Sequence, residues 1–181
     1  MPRLPQITDK ASLSAEDHAI FDAITESRGA IVGPFPTLLH SPEVAARISH
    51  LGHYLRFDCA LSAAEREVAI LTAAREANCA FEWAAHVRLG RQAGVRDETI
   101  EAIANRAPVD GVNADDGLII AFGRQLLHDH KVSHETFEAA LKRFSGRGVV
   151  DLTALLGYYT MIACVLNGFE VAPAEGAARL P

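Results

Sequence analysis

Asn78-Cys79-Ala80-Phe81-Glu82-Trp83-Ala84-Ala85-His86 is the stretch from which the rest of the chain is read, because it sets three chemically capable side chains in an alanine-rich run. Taken as a helix, it relates Cys79, Glu82 and His86 by i, i+3 and i+7, which places them within roughly 60° of arc on one face. Nowhere else can a thiol, a carboxylate and an imidazole meet on one element. Asn78 is a favourable N-cap, so Cys79 is expected at the first helical position, where free backbone amides and the helix dipole lower a thiol pKa. Glu82 opposes that effect by repulsion, but it forms an i, i+4 pair with His86 and can share a proton with it. The stripe is suited to moving protons.

Upstream, Ser62 and Glu65 form a capping box, after which Val68, Leu71 and Ala74 face a core. Charge alternates along Glu65, Arg66, Arg75 and Glu76, and Glu67, beside Val68 and Leu71, tilts toward the core. Before it, Ser41 and Pro42 open a helix whose apolar face is Val44, Ile48, Leu51 and Leu55. Gly33-Pro34-Phe35-Pro36 predicts a rigid loop carrying an exposed or pocket-lining Phe35. A first helix is expected over about 15–28, opened by a Ser14/Asp17 capping box and closed by Gly29. Downstream, the motif helix ends near Gly90 or Gly94, and Asp97 caps a short helix carrying Ile100 and Ile103. Leu118, Phe122 and Leu126 mark a helix from Asn113 to about His130, and Phe137, Ala140, Leu141 and Phe144 another from Ser133. The last helix, 148–168, is apolar nearly all round and stops at Asn167-Gly168, which calls for burial by its own domain and by another subunit. No segment alternates as a strand does. The fold class is all-α: one bundle of about seven to eight helices over residues 14–170, an extended arm over 1–13 able to wrap a neighbour, and a tail over 171–181.

Composition narrows the partners. With a net charge of −6, a pI near 5.7 and 17 scattered Lys and Arg, the chain lacks the basic face that nucleic acids or anionic membranes require. The most apolar stretch, Leu152 to Leu166, is 15 residues long and includes Thr153, Gly157, Tyr158, Tyr159 and Thr160, too short and polar to span a bilayer. Cys59, Cys79 and Cys164 fit neither a disulfide framework nor a zinc-finger spacing, and a reducing cytoplasm suits them. The expected partners are a small-molecule substrate and further copies of this chain.

Glu67, in the context Arg66-Glu67-Val68-Ala69-Ile70-Leu71, together with the run from Asn78 to His86, resembles the core motif of the carboxymuconolactone decarboxylase/alkylhydroperoxidase D family. The resemblance extends over roughly residues 15–170 and implies an all-helical fold assembled as trimers or hexamers. In the peroxidase branch of that family a glutamate is followed by a CxxC pair and a histidine. By that resemblance Glu67 takes the place of the glutamate, Cys79 of the first cysteine and His86 of the histidine, while Glu82 stands where the second cysteine would be. A disulfide cycle through CxxC cannot run with Glu82. What the resemblance then implies is a catalytic set of Glu67, Cys79, Glu82 and His86 in the manner of the decarboxylase branch, with His86 as general acid or base and neither metal nor cofactor. The substrate expected is a small organic acid or lactone.

Two alternatives stand beside that lyase reading. One is a thiol peroxidase acting on a hydroperoxide with Cys79 as sole peroxidatic thiol, resolved by Cys59 or Cys164 if the fold brings one of them near. The other is a non-catalytic oligomeric binding module. The enzyme reading requires Glu67 to point at His86 and a cavity walled by Phe35, His53 or Phe81. Trp83 reads as core or subunit packing. A zinc ion shared by Cys79, Glu82 and His86 is disfavoured by the long i, i+7 spacing, and His128, His130 and His134 read as partners for a helix C-terminus. The absence of GxGxxG, P-loop and GxSxG patterns removes support for nucleotide-dependent or serine-hydrolase chemistry.

Overall fold

The computed structural model describes all 181 residues, and its regular structure is entirely helical. The helices are α1 (His18–Arg28), α2 (Phe35–Leu38), α3 (Pro42–His53), α4 (Ala63–Glu76), α5 (Ala80–Gln92), α6 (Asp97–Ala104), α7 (Ala114–Arg124) and α8 (His134–Gly168). Helices α3 and α7 each run on into a π-helical turn, Tyr54–Asp58 and Gln125–Asp129.

Helix α4 is the axis of the fold. Its start is fixed by the expected capping box: Ser62 accepts from the Glu65 amide at 3.3 Å and Glu65 accepts from the Ser62 amide at 2.7 Å. Every residue from Val68 to Arg75 is buried, because α5, α6, α7 and α8 all pack around it. The buried charge at Arg75 is answered locally, its Nε donating to the Ala104 carbonyl at 2.6 Å and Nη1 to Asn78 Oδ1 at 2.7 Å. Around α4 lies the larger apolar cluster, including Val68, Leu71, Trp83, Ile119, Leu155 and Ile162. Trp83 is core.

A second, smaller cluster of Ile7, Ile24, Phe35, Leu38, Leu39 and Ala45 joins the N-terminal arm to α1, α2 and α3. The arm lies on its own chain: the Ile7 amide donates to the Pro36 carbonyl at 3.0 Å and Gln6 Nε2 to Thr37 Oγ1 at 3.0 Å. The Pro34–Pro36 segment, expected as a loop, forms the one-turn helix α2 with Pro36 in its first turn. There a missing N–H costs nothing, and Phe35 is buried.

Two further expectations are corrected and one is met. At the start of α1, the Ser14 hydroxyl bonds the Asp17 carboxylate at 2.7 Å and caps no backbone amide, although Gly29 closes the helix in the left-handed region at φ 79° as expected. On α3 the large apolar residues are not all inward, since Val44 and Leu51 are exposed. The buried face is instead Ala45, Ser49 and Gly52. A methyl at Gly52 would overlap the Tyr158 hydroxyl and sit 2.8 Å from Arg28 Nη2, so that close approach admits only glycine. The two helices expected after residue 133 are both present within α8, broken at Ser145 (φ 63°, ψ 172°). Its C-terminal half buries Leu152, Leu155, Leu156 and Tyr159 while Val150, Thr153, Gly157 and Cys164 remain exposed. This helix is long and apolar enough to cross a membrane by composition alone, but 56% of its most apolar window is buried within the bundle.

Candidate active site

Helix α4 brings Glu67, and α5 brings Glu82 and His86, to one point at the boundary between the two apolar clusters. His86 is 4% exposed, and both ring nitrogens meet carboxylates: Nδ1 lies 2.7 Å from Glu67 Oε2 and Nε2 lies 3.1 Å from Glu82 Oε2. The first contact spans 19 residues and joins two helices; the second is the i, i+4 pair along α5. Tyr159 of α8 presents its ring edge-on to the imidazole, with centroids 5.1 Å apart, and Tyr158 packs edge-on to Tyr159 at 5.4 Å.

Burial of His86 by itself disfavours the imidazolium, but the hydrogen bonds and charges of Glu67 and Glu82 overcome it and raise the pKa to about 9. His86 is therefore charged at neutral pH and holds a proton against each carboxylate. An imidazolium between two carboxylates in a nearly dry site can hold and pass a proton.

Cys79 departs from expectation. Asn78 is not an N-cap: it takes the left-handed conformation at φ 47°, ends the turn after α4, and receives the Arg75 guanidinium on its side chain. Cys79 is itself the N-cap residue and is fully buried. Burial pushes its thiol up to about 11, and the Glu82 carboxylate adds to the rise against a partial offset from the backbone amides of Glu82 and Phe81. The lowered pKa expected at a helix start is reversed, because desolvation of the thiolate outweighs the dipole. Cys59 is also buried and Cys164 is exposed; all three are free thiols.

A cavity of about 400 Å³ opens on this centre, with His86, Glu82 and Tyr159 on one side and Arg28, Phe35 and Arg56 on the other. Phe35 and Phe81 wall it, as expected. His53 does not: it lines a separate groove of about 840 Å³ between α1 and α3, where its Nδ1 meets Ser27 Oγ at 3.1 Å. Cys79 is absent from the lining of the cavity, and Glu67 lines a second, smaller cleft that Arg56 also borders. Arg28, Arg56, Tyr158 and Tyr159 were not singled out from sequence as site residues. No spacing rule links residues so far apart in the chain, and only packing brings them together. No group of three His, Cys, Asp or Glu side chains is disposed to hold a metal ion.

Residues 42–121 match the model of the carboxymuconolactone decarboxylase family, a segment that contains Glu67, Cys79, Glu82 and His86. No functionally curated protein matches the chain. Among solved structures, the chain is similar to the alkylhydroperoxidase AhpD core of an uncharacterized peroxidase-related protein from Ralstonia eutropha JMP134. The identity is 18% and the TM-score 0.78, over 96% of this chain and 93% of that one. An uncharacterized peroxidase-related protein from Silicibacter sp. TM1040 is similar at 18% identity and a TM-score of 0.74, over 96% of this chain and 94% of that one. At that identity the likeness concerns the fold, and it extends the match from the motif segment to both ends of the bundle. The motif segment, residues 42–121, thus matches the carboxymuconolactone decarboxylase family, and it sits in a helical frame shared from end to end with the alkylhydroperoxidase AhpD core.

Proposed function

We propose that this chain is an acid–base enzyme of the decarboxylase type, acting on a small organic acid or lactone. The observation that carries the reading is the placement of His86 between Glu67 and Glu82, raised to about 9, at the wall of a cavity. In such a reaction the bond from the substrate carbon to its carboxyl group breaks, CO₂ leaves, and the electron pair stays on carbon. The proton shared by His86 Nε2 and Glu82 Oε2 then passes to that carbon. Glu67, behind the ring, keeps the imidazole charged until transfer and fixes its orientation.

The thiol-peroxidase reading draws on the two structural neighbours, both called peroxidase-related. It requires a thiolate, and a thiol raised to about 11 supplies very little of it near neutrality. The chain is further proposed to act as a homo-oligomer, a reading supported by the exposed apolar side chains Val44, Leu51, Phe57 and Val150. Sedimentation of a stable monomer at micromolar concentration would remove that part.

The test of the main reading is a screen of purified protein against lactone acids, following CO₂ release, in parallel with organic hydroperoxides plus a dithiol reductant. Turnover of a lactone acid that survives Cys79→Ser and is lost in His86→Ala is the expected result. Hydroperoxide turnover abolished by Cys79→Ser would overturn it.

A further inference from the structure

Of all the buried side-chain nitrogens and oxygens in the protein, only Nε and Nη2 of Arg28 have no hydrogen-bond partner. Its guanidinium lies over the Phe35 ring, 4.2 Å from the centroid, a contact that engages the face of the cation and leaves its in-plane donors unanswered. Nε and one Nη form the fork that grips a carboxylate through two parallel hydrogen bonds. The nearest neutral acceptor is the Tyr158 hydroxyl, which donates to the Ile48 carbonyl at 3.2 Å; it offers the guanidinium a lone pair but no counter-charge.

A second cation stands close by. Arg56 lines the same cavity, and after burial its charge is among the influences that depress the Arg28 pKa. No Asp or Glu forms an ion pair with Arg28 or Arg56; Arg75 and Arg124, also without one, differ in that their guanidinium groups donate to backbone carbonyls. Two guanidinium groups facing one cavity without a counter-charge raise the free energy of the unliganded protein, because desolvation and mutual repulsion both go uncompensated. Gly52, which makes the room that Arg28 Nη2 and Tyr158 occupy, holds the arrangement in place. Phe35, Phe81 and Ile162 add apolar wall, and a third guanidinium, Arg88 of α5, lies at the lining on the His86 side.

We propose that Arg28, assisted by Arg56, docks the carboxylate of a small, largely apolar organic acid in the cavity that His86 and Glu82 wall. The inference deepens the acid–base reading and rests on it only for the claim that the docked acid is a substrate. A carboxylate held by a guanidinium fork is stabilised against losing its electrons to carbon, so the docked group is one that survives the reaction. Its role is to aim the reacting carbon at the His86–Glu82 pair.

Binding of benzoate to the purified protein, measured by titration calorimetry without turnover, tests the site. Benzamide, uncharged and of the same shape, serves as one control and inorganic phosphate as the other. Benzoate is expected to bind at least tenfold more tightly than benzamide. Arg28→Gln should lose that preference, Arg56→Gln should weaken it by a smaller factor, and Arg28→Lys should restore part of it. Thermal melts establish that each variant is folded, and should Arg28→Gln fail to fold, Arg28→Lys and Arg56→Gln carry the comparison. Equal affinity for benzoate and benzamide, unchanged benzoate binding in the variants, or tighter binding of phosphate than of benzoate would each overturn the proposal. Because no turnover is read, those outcomes leave the acid–base reading standing, and failure of the acid–base reading leaves the binding result intact.

Discussion

The two walls of the cavity differ in how their charges are treated. On the α4–α5 wall Glu67, His86 and Glu82 form one continuous ion-paired line, all but closed to solvent. On the facing wall, Arg28 and Arg56 are without counter-ions, and two Arg28 donors are buried and unsatisfied. A paired buried network is held by the protein for its own use, because each member fixes the state of the next. An unpaired buried cation is costly to keep, and the cost is offset only when a ligand arrives. In the proposed reading, one wall carries the proton and the other receives the charge of the substrate.

The most severe way to break the paired wall is His86→Ala, which leaves two carboxylates facing each other across a void. Turnover of a lactone acid should fall by about 10²–10⁴, the usual range for a positioned general acid. Urea denaturation should report a loss of several kcal/mol, as for removal of one member of a buried ionic network. A variant retaining most of the activity would dissolve the distinction between the walls.

Glu67→Gln sharpens the comparison by removing only one of the two charges around the ring. In the native chain, as the imidazolium is the acid, the rate should decline as pH rises through about 9. Since the folded value lies above the unfolded one of about 6.5, the stabilisation from this network is fully present below that lower value. It is lost as pH rises through about 9. In Glu67→Gln both the rate limb and the stability limb should move down, by about one pH unit or more. Glu82 from α5 and Tyr159 from α8 are the other titratable groups facing the ring, and they remain in that variant. Rate and stability profiles identical to those of the native protein would remove Glu67 from that network.

Gly52→Ala addresses the unpaired wall through its packing. The added methyl collides with the Tyr158 hydroxyl and crowds Arg28, so stability should drop by about 1–3 kcal/mol, the range for overpacking. Benzoate affinity should fall with it while the pH limb set by His86 stays where it was. A shift of that limb would mean that the two walls are not independent.

The smallest effect is expected at Cys79. Its serine variant should keep lactone-acid turnover within a small factor of the native value. Alkylation of the native protein should label the exposed Cys164 first and Cys79 last, the thiol there being buried and raised to about 11. Preferential labelling of Cys79 by a mild alkylating agent would restore the nucleophile that the burial of this thiol argues against.

The sequence by itself determined the all-helical class, the capping box at Ser62, the closure of α1 at Gly29, and the pairing of Glu82 with His86. Each depends on contacts within about four residues, which helical periodicity makes local. The inward tilt of Glu67 was also legible, from its position beside Val68 and Leu71 on an otherwise apolar stripe. What only the tertiary structure decided is burial and long-range approach. The thiol of Cys79 rose because α4, α5 and α8 close over it, and a helix start read alone shows the dipole but not the missing water. The buried face of α3 proved to be Ala45, Ser49 and Gly52, because close approach to Tyr158 and Arg28 selects for small side chains over apolar ones. Arg28, on α1, meets a cavity whose other wall lies over fifty residues away along the chain. No period in the sequence encodes that meeting, which follows from two apolar clusters packing against each other with charges left at their seam.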